Sequence, residues 1–144
     1  MSFDKNQFRD LIERVLKEYD LESRAAVNLL LGTAAQESLF GTYIRQMRGP
    51  ALGIFQMEPR TFIWLQEHYK KTYPNIKERK AEDLEWDLRL AIVFARLRYR
   101  IVPVPLPDAD DVLALAEYWK EHYNTERGKG TIEQFVENWN RFVG

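Results

Sequence analysis

No cysteine occurs in the 144 residues, which removes disulfides, a thiol nucleophile and thiolate metal sites together. Long apolar runs are also missing. Nothing in the chain approaches the roughly 20 residues that cross a bilayer, so no membrane insertion is expected. The first residues, Met1-Ser2-Phe3-Asp4-Lys5, have neither the basic start nor the apolar stretch of a secretory leader, and export as a signal-peptide substrate is not expected. An excess of one charge is absent too: 21 Lys and Arg are met by 22 Asp and Glu, for a net charge of -1. No overall field draws such a chain to nucleic acid, and an anionic partner has to be met by a local patch. Histidine is scarce. His68 and His122 stand far apart with no acidic or histidine partner at metal-ligand spacing, so no metal site is expected.

Hydrophobic residues make up 45% and charged ones 30% of the chain, enough for one sizeable core and a single domain over residues 1–144. Phe8, Leu11, Ile12, Val15, Leu16 and Tyr19 recur at helical spacing behind Asp4 and Gln7, which have capping-box separation, and predict a first amphipathic helix. Ser23 caps a second, whose Ala25, Ala26, Leu29, Leu30 and Ala34 are so apolar that it is expected at the centre of the fold, ending near Glu37 to Phe40. Gly41, Gly49, Pro50 and Gly53 make the next segment irregular, or at most a short β-hairpin. Pro59 opens a third helix that stops near Tyr73-Pro74, and a fourth is expected near Leu84 to Ile101. Pro103, Pro105 and Pro107 force an extended connection. A fifth helix starts at Asp108, Asp110 or Asp111 and runs through Tyr123, and Thr131 with Gln134 boxes a sixth bearing Phe135, Trp139 and Phe142. The expectation is an all-α fold of about six helices around a central apolar one.

The stretch best suited to chemistry is Thr33 to Thr61, where Glu37-Ser38 closes the apolar helix and Gly53-Ile54-Phe55-Gln56, Pro59 and Thr61 follow after an irregular segment. It resembles the lytic transglycosylase and goose-type lysozyme family, whose pattern is Glu-Ser, then Gly-Leu-Met-Gln, two residues, Pro, one residue, Thr. The resemblance covers about a fifth of the chain. Three departures stand out. Arg45, Gln46, Met47 and Arg48 fill a loop where the family often has a serine, one extra residue separates Glu37 from Gln56, and Glu58 replaces an apolar residue, commonly methionine. Near Leu84 to Ile101 the pattern is similar to the family's Asn-Ile-x-x-Gly helix, with Ala91 at the glycine.

Glu37 is the candidate general acid. Such a group must hold its proton near neutral pH to protonate the leaving oxygen of a glycosidic bond. A helix C-terminus carries partial negative charge, and Leu39, Phe40, Ile54 and Phe55 can desolvate the carboxyl; both effects raise its pKa. Ser38 has no base placed beside it by sequence and reads as structural, although it belongs to the Glu-Ser pair at the substrate. Gln56 offers donor and acceptor to a sugar, and the resemblance places it, with Phe55, in the sugar cleft. Glu58 is either a helix-starting acid or a second carboxylate that binds substrate or activates water. The family's late Ala-Tyr-Asn-Ala-Gly motif supplies a tyrosine that orients the glutamate. Two registers match it: Leu113 to Tyr118 resembles its lead-in, and Tyr123-Asn124-Thr125 with Gly128 and Gly130 resembles its helix end. Tyr123 is preferred, with Asn124 at the substrate, and Tyr118 and Trp119 are expected in the core. Arg89, Arg96, Arg98 and Arg100 read as a solvated helix face, and Trp64 as a core residue or a sugar-stacking one.

What the resemblance implies is a lysozyme-like domain that cuts peptidoglycan between N-acetylmuramic acid and N-acetylglucosamine. Glu37 would act first as acid and then as base, forming a 1,6-anhydro sugar with no cofactor or metal. A hydrolysing lysozyme using Glu58 and a non-catalytic phage or secretion-machine part are the alternatives. The glycan strand is the expected partner, the monomer the favoured state. A phage endolysin or virion-borne protein is the expected setting, reaching the periplasmic wall from the bacterial cytoplasm by holin-type release or as part of a machine.

Overall fold

A computed structural model describes residues 2–124 and 128–144; Thr125, part of the late tyrosine motif, lies outside the described residues. Among the described residues six α-helices make up the fold: α1 (Lys5–Glu18), α2 (Arg24–Ser38), α3 (Pro59–Tyr69), α4 (Leu88–Arg100), α5 (Val112–Trp119) and α6 (Ile132–Phe142). The architecture is all-α. Between α2 and α3 there is no continuous strand among the described residues, only isolated antiparallel bridges that pair Arg45 with Leu52 and Leu52 with Met57.

Each start has a local cause. Asp4 accepts from the amides of Asn6 and Gln7, and Ser23 accepts from that of Ala26. Pro59 occupies the first turn of α3, where its missing N–H costs nothing. Thr131 and Gln134 form the reciprocal box that opens α6. Of the three aspartates before α5, Asp111 is the cap, accepting from Ala114 N.

Three boundaries differ from expectation. α3 ends at Tyr69 and loosens into a turn in which Tyr73 N still bonds Tyr69 O at 2.9 Å, and Pro74 then bars Tyr73 from helical geometry, at φ -126°, ψ 81°. α4 begins at Leu88, not near Leu84: Asp87 caps the amide of Leu90, and Ala81–Glu85 forms a separate 3-10 turn. α5 ends at Trp119, and Lys120–Asn124 continues as one wider π-type turn.

α2 lies at the centre. Every residue from Ala26 to Ala35 is buried, and fully burying each of its leucines contributes about 1.5–3 kcal/mol. Its polar residues are satisfied: Asn28 accepts from Arg9 and donates to Ala109 O, and Thr33 Oγ1 bonds Leu29 O and the Tyr99 hydroxyl, each at 2.7 Å. Gly32 lets α6 come close, since a Cβ there would meet Phe135 Cζ at 2.3 Å. One continuous apolar core joins all six helices, from Phe8 and Ile12 on α1 to Phe135 and Trp139 on α6. No helix among the described residues is long and apolar enough to cross a membrane.

Candidate active site

The C-terminal turn of α2 presents Glu37 to a cleft of about 770 Å³. The chain leaves the helix sharply: Leu39 and Phe40 are both left-handed, at φ 49° and 56°, and Gly41 follows at φ 87°. Two successive non-glycine residues in that region cost on the order of 1–2 kcal/mol each. Burial of the Phe40 ring and the bonds Phe40 N to Ala34 O and Phe3 N to Phe40 O, both 3.0 Å, hold them there. Ser38 completes the lock, its hydroxyl donating to Ala34 O at 3.1 Å and accepting from Gly41 N at 2.9 Å. Fully buried, it faces away from the cleft.

Glu37 has one direct partner among the described residues. Trp119 Nε1–H donates to Glu37 Oε2 at 3.0 Å, and the indole is itself fully buried against Phe135, ring centroids 5.4 Å apart. Burial pushes the Glu37 carboxyl from 4.5 up to about 7; the Trp119 hydrogen bond and the nearby Lys120 charge work in the opposite direction and do not overcome it. The group is therefore shared between acid and carboxylate near neutral pH, the condition a proton donor and acceptor needs.

The other walls come from separate segments. Gln56 is left-handed at φ 49°, and its side-chain amide donates to Gly53 O at 2.9 Å. Gly53, at φ 79°, is required because a Cβ would meet Leu84 O at 2.5 Å. Glu58 precedes α3 as its cap residue, is exposed, and makes no capping hydrogen bond. Arg48, Arg60, Arg98 and Lys129 also line the cleft, with Gln36, Tyr123 and Asn124. Lys120 is tied by three acceptors, Asn124 Oδ1 at 2.8 Å, Gly128 O at 3.1 Å and Gly130 O at 2.7 Å, which anchors the wall after α5.

Of the residues singled out from sequence, Glu37, Gln56, Glu58, Tyr123 and Asn124 are gathered at the one cleft. Three others are not. Ser38 is locked as described, Phe55 is 2% exposed and packs in the core, and Tyr118 points elsewhere, its hydroxyl donating to Val104 O at 2.8 Å. Tyr123 is in the cleft but does not hold the glutamate: its hydroxyl donates to Phe55 O at 2.7 Å. Burial and the Glu37 charge raise its pKa well above 10, so it stays a donor.

Sequence reasoning missed Trp119, Lys120 and Arg98. Trp119 had a signal, because it stands four residues before Tyr123 and shares its helical face. Arg98 stands three after Ala95 and seven after Ala91, on the small-residue face of α4, whereas Arg89 pairs with Glu18 and Arg96 donates to Leu21 O. The four arginines are thus not one solvated face. Trp64 is 53% exposed beside His68 and takes no part in the cleft. No family model, curated protein or solved structure matches this chain.

Proposed function

We propose that the chain is a peptidoglycan-cleaving glycosidase with a lysozyme-like fold, acting as a lytic transglycosylase on the bond between N-acetylmuramic acid and N-acetylglucosamine. The observation that carries this reading is a single carboxyl, Glu37, in an open cleft with its pKa raised to about 7 and one oxygen held by an indole N–H. Trp119 occupies Oε2 and leaves Oε1 to carry the proton. In the first step that proton passes to the leaving glycosidic oxygen as the bond to C1 breaks. The Glu37 carboxylate then takes the proton from the C6 hydroxyl of the muramic residue while its oxygen bonds to C1. Glu37 regains its proton, and the product is a 1,6-anhydro sugar made without water. The Trp119 N–H stabilises the carboxylate between the two steps. A phage-associated protein that reaches the wall by cell lysis or within a virion fits this chemistry.

A second reading rests on Glu58, which lines the same cleft and is free to act as a base. Hydrolysis with inversion would need the two carboxyls roughly 6.5–9.5 Å apart with a water between them. Mass spectrometry of the products from purified cell wall decides. Fragments lighter by one water than hydrolytic ones are the expected result. Only hydrated ends would favour the Glu58 reading, and no fragments at all would favour a wall-binding part without catalysis.

A further inference from the structure

The chain as a whole is close to neutral, yet its cleft is not. Four cations line it, and they come from four separated segments: Arg48 from the loop after α2, Arg60 from the start of α3, Arg98 from α4 and Lys129 from the connection to α6. Among the described residues the only carboxyls lining the same space are Glu37 and Glu58. None of the four cations has an ion-pair or hydrogen-bond partner among the described residues. Some arginines outside the cleft are paired: Arg24 meets Asp110, Arg14 meets Asp10, and Arg79 meets both Asp83 and Asp87.

Four cations against two carboxyls leave the lining with an excess of positive charge, which favours an anionic occupant. Arg98 sharpens the point because it is half-buried. Its guanidinium presents five N–H donors, and none of them has an acceptor among the described residues. A planar fork of that kind matches a carboxylate bidentately. Nucleic acid fits the lining less well. Tyr123 is the only aromatic side chain in it among the described residues, and its hydroxyl is committed to Phe55 O, so there is no series of rings for bases to stack on.

We propose that the cleft is a carboxylate-reading groove, in which Arg98, flanked by Arg48, Arg60 and Lys129, binds acid groups carried by the glycan strand. This rests on the function proposed above and narrows it. The strand is recognised by its charge as well as its sugars, so a neutral polymer of the same backbone is a poor ligand.

Equilibrium binding to the Glu37→Gln protein, which cannot cut, tests this with four probes: soluble wall-glycan fragments bearing their carboxylates, the same fragments with every carboxylate converted to the methylamide, uncharged N-acetylglucosamine oligomers, and single-stranded DNA of similar length. The acidic fragments are expected to bind about ten- to a hundredfold tighter than the methylamides, the range of one charge-assisted hydrogen bond. That advantage should shrink with added salt, and Arg98→Gln should remove most of it. Arg48→Gln with Arg60→Gln, both exposed sites, should reduce it in a protein whose helical circular dichroism is unchanged, so the test survives a folding defect at Arg98. Equal binding of acidic and methylamide fragments overturns the proposal, as does DNA binding as tightly as the acidic glycan. Equal binding together with cleavage of both fragments by the unsubstituted protein would sink the groove and leave the glycosidase reading standing. Selective binding of the acidic fragments with no cleavage would do the reverse.

Discussion

Around Glu37 the neighbours are set by packing, whereas the Glu58 side chain has no hydrogen bond or ion pair among the described residues. On the floor, Trp119 and Phe135 are fully buried, Ser38 is bonded on both sides, and the backbone beyond it is held left-handed by a buried phenylalanine. On the rim, Glu58 is exposed without a cap bond, and Arg48 and Arg60 are exposed as well. The same residue type therefore has two characters. Burial makes Glu37 a group that exchanges a proton near neutral pH, and Glu58 stands in open solvent at the start of α3.

Glu37→Gln should produce the largest effect. Wall cleavage is expected to fall by at least ~10²–10⁴-fold, the usual loss on removing a general acid, with helical content retained. Near-normal clearing of a cell-wall suspension would remove Glu37 from its role. The same variant also reads the floor's electrostatics. Folding raises the carboxyl's pKa from 4.5 to about 7, so between those values the folded chain binds more protons than the unfolded chain and loses stability as pH rises. The loss is complete above pH 7 and amounts to about 3 kcal/mol. An amide has no such term. Denaturant titration should therefore show Glu37→Gln gaining on the parent by up to about 3 kcal/mol between pH 4 and pH 8. A difference that stays constant across that range would mean that the carboxyl is well solvated.

Trp119→Phe comes next. It keeps an aromatic ring against Phe135 and deletes the N–H that meets Glu37. Because that bond lowers the carboxyl pKa, its loss should move the pH–rate profile upward. The rate should fall by about ten- to a hundredfold, the value of one hydrogen bond to a charged group. A purely structural tryptophan would lower the melting temperature and leave the pH profile where it was.

The floor was largely legible in the sequence because it is made of helices whose period and caps are local. Asp4, Ser23, Pro59 and the Thr131–Gln134 box each start a helix as their chemistry requires, and the continuous burial of α2 from Ala26 to Ala35 follows from a stretch whose only polar side chains are Asn28 and Thr33. The identity of the glutamate's partner was not legible. Helical spacing puts Trp119 on the face of Tyr123, but which of the two side chains reaches Glu37 depends on the height at which α5 meets α2, and that leaves no periodic trace. The same limit hid Arg98, whose role depends on where the face of α4 opens onto the cleft. Arg48 and Arg60 sit on irregular or terminal backbone, where a charged residue looks the same in sequence whether it faces a ligand or bulk water.

Tyr123→Phe should be smaller again. The deleted hydroxyl serves Phe55 O, so the expected loss is stability of about 0.5–1.5 kcal/mol, one neutral hydrogen bond, with cleavage close to normal. A rate defect as large as that of Trp119→Phe would return the orienting role to the tyrosine and would mean that its hydroxyl turns to Glu37 when the strand binds.

Glu58→Gln should do least, and for that reason it separates the two chemistries best. The side chain is exposed and makes no capping bond, so its contribution to stability is limited to its favourable position at the start of α3, about 0.3–1 kcal/mol. In a transglycosylase the second proton transfer belongs to Glu37, and nothing is asked of Glu58 beyond its charge beside the cationic rim. Removing that charge leaves the cleft more positive, so an acidic strand should bind slightly tighter while the anhydro product persists at a near-normal rate. In a hydrolase the amide cannot take a proton from water, and cleavage should fall as far as it does in Glu37→Gln. Product mass and rate, measured on the same digest, distinguish these outcomes: a large loss with the helical signal intact would place the base on the rim, and the exposure of Glu58 would then be what lets water reach it.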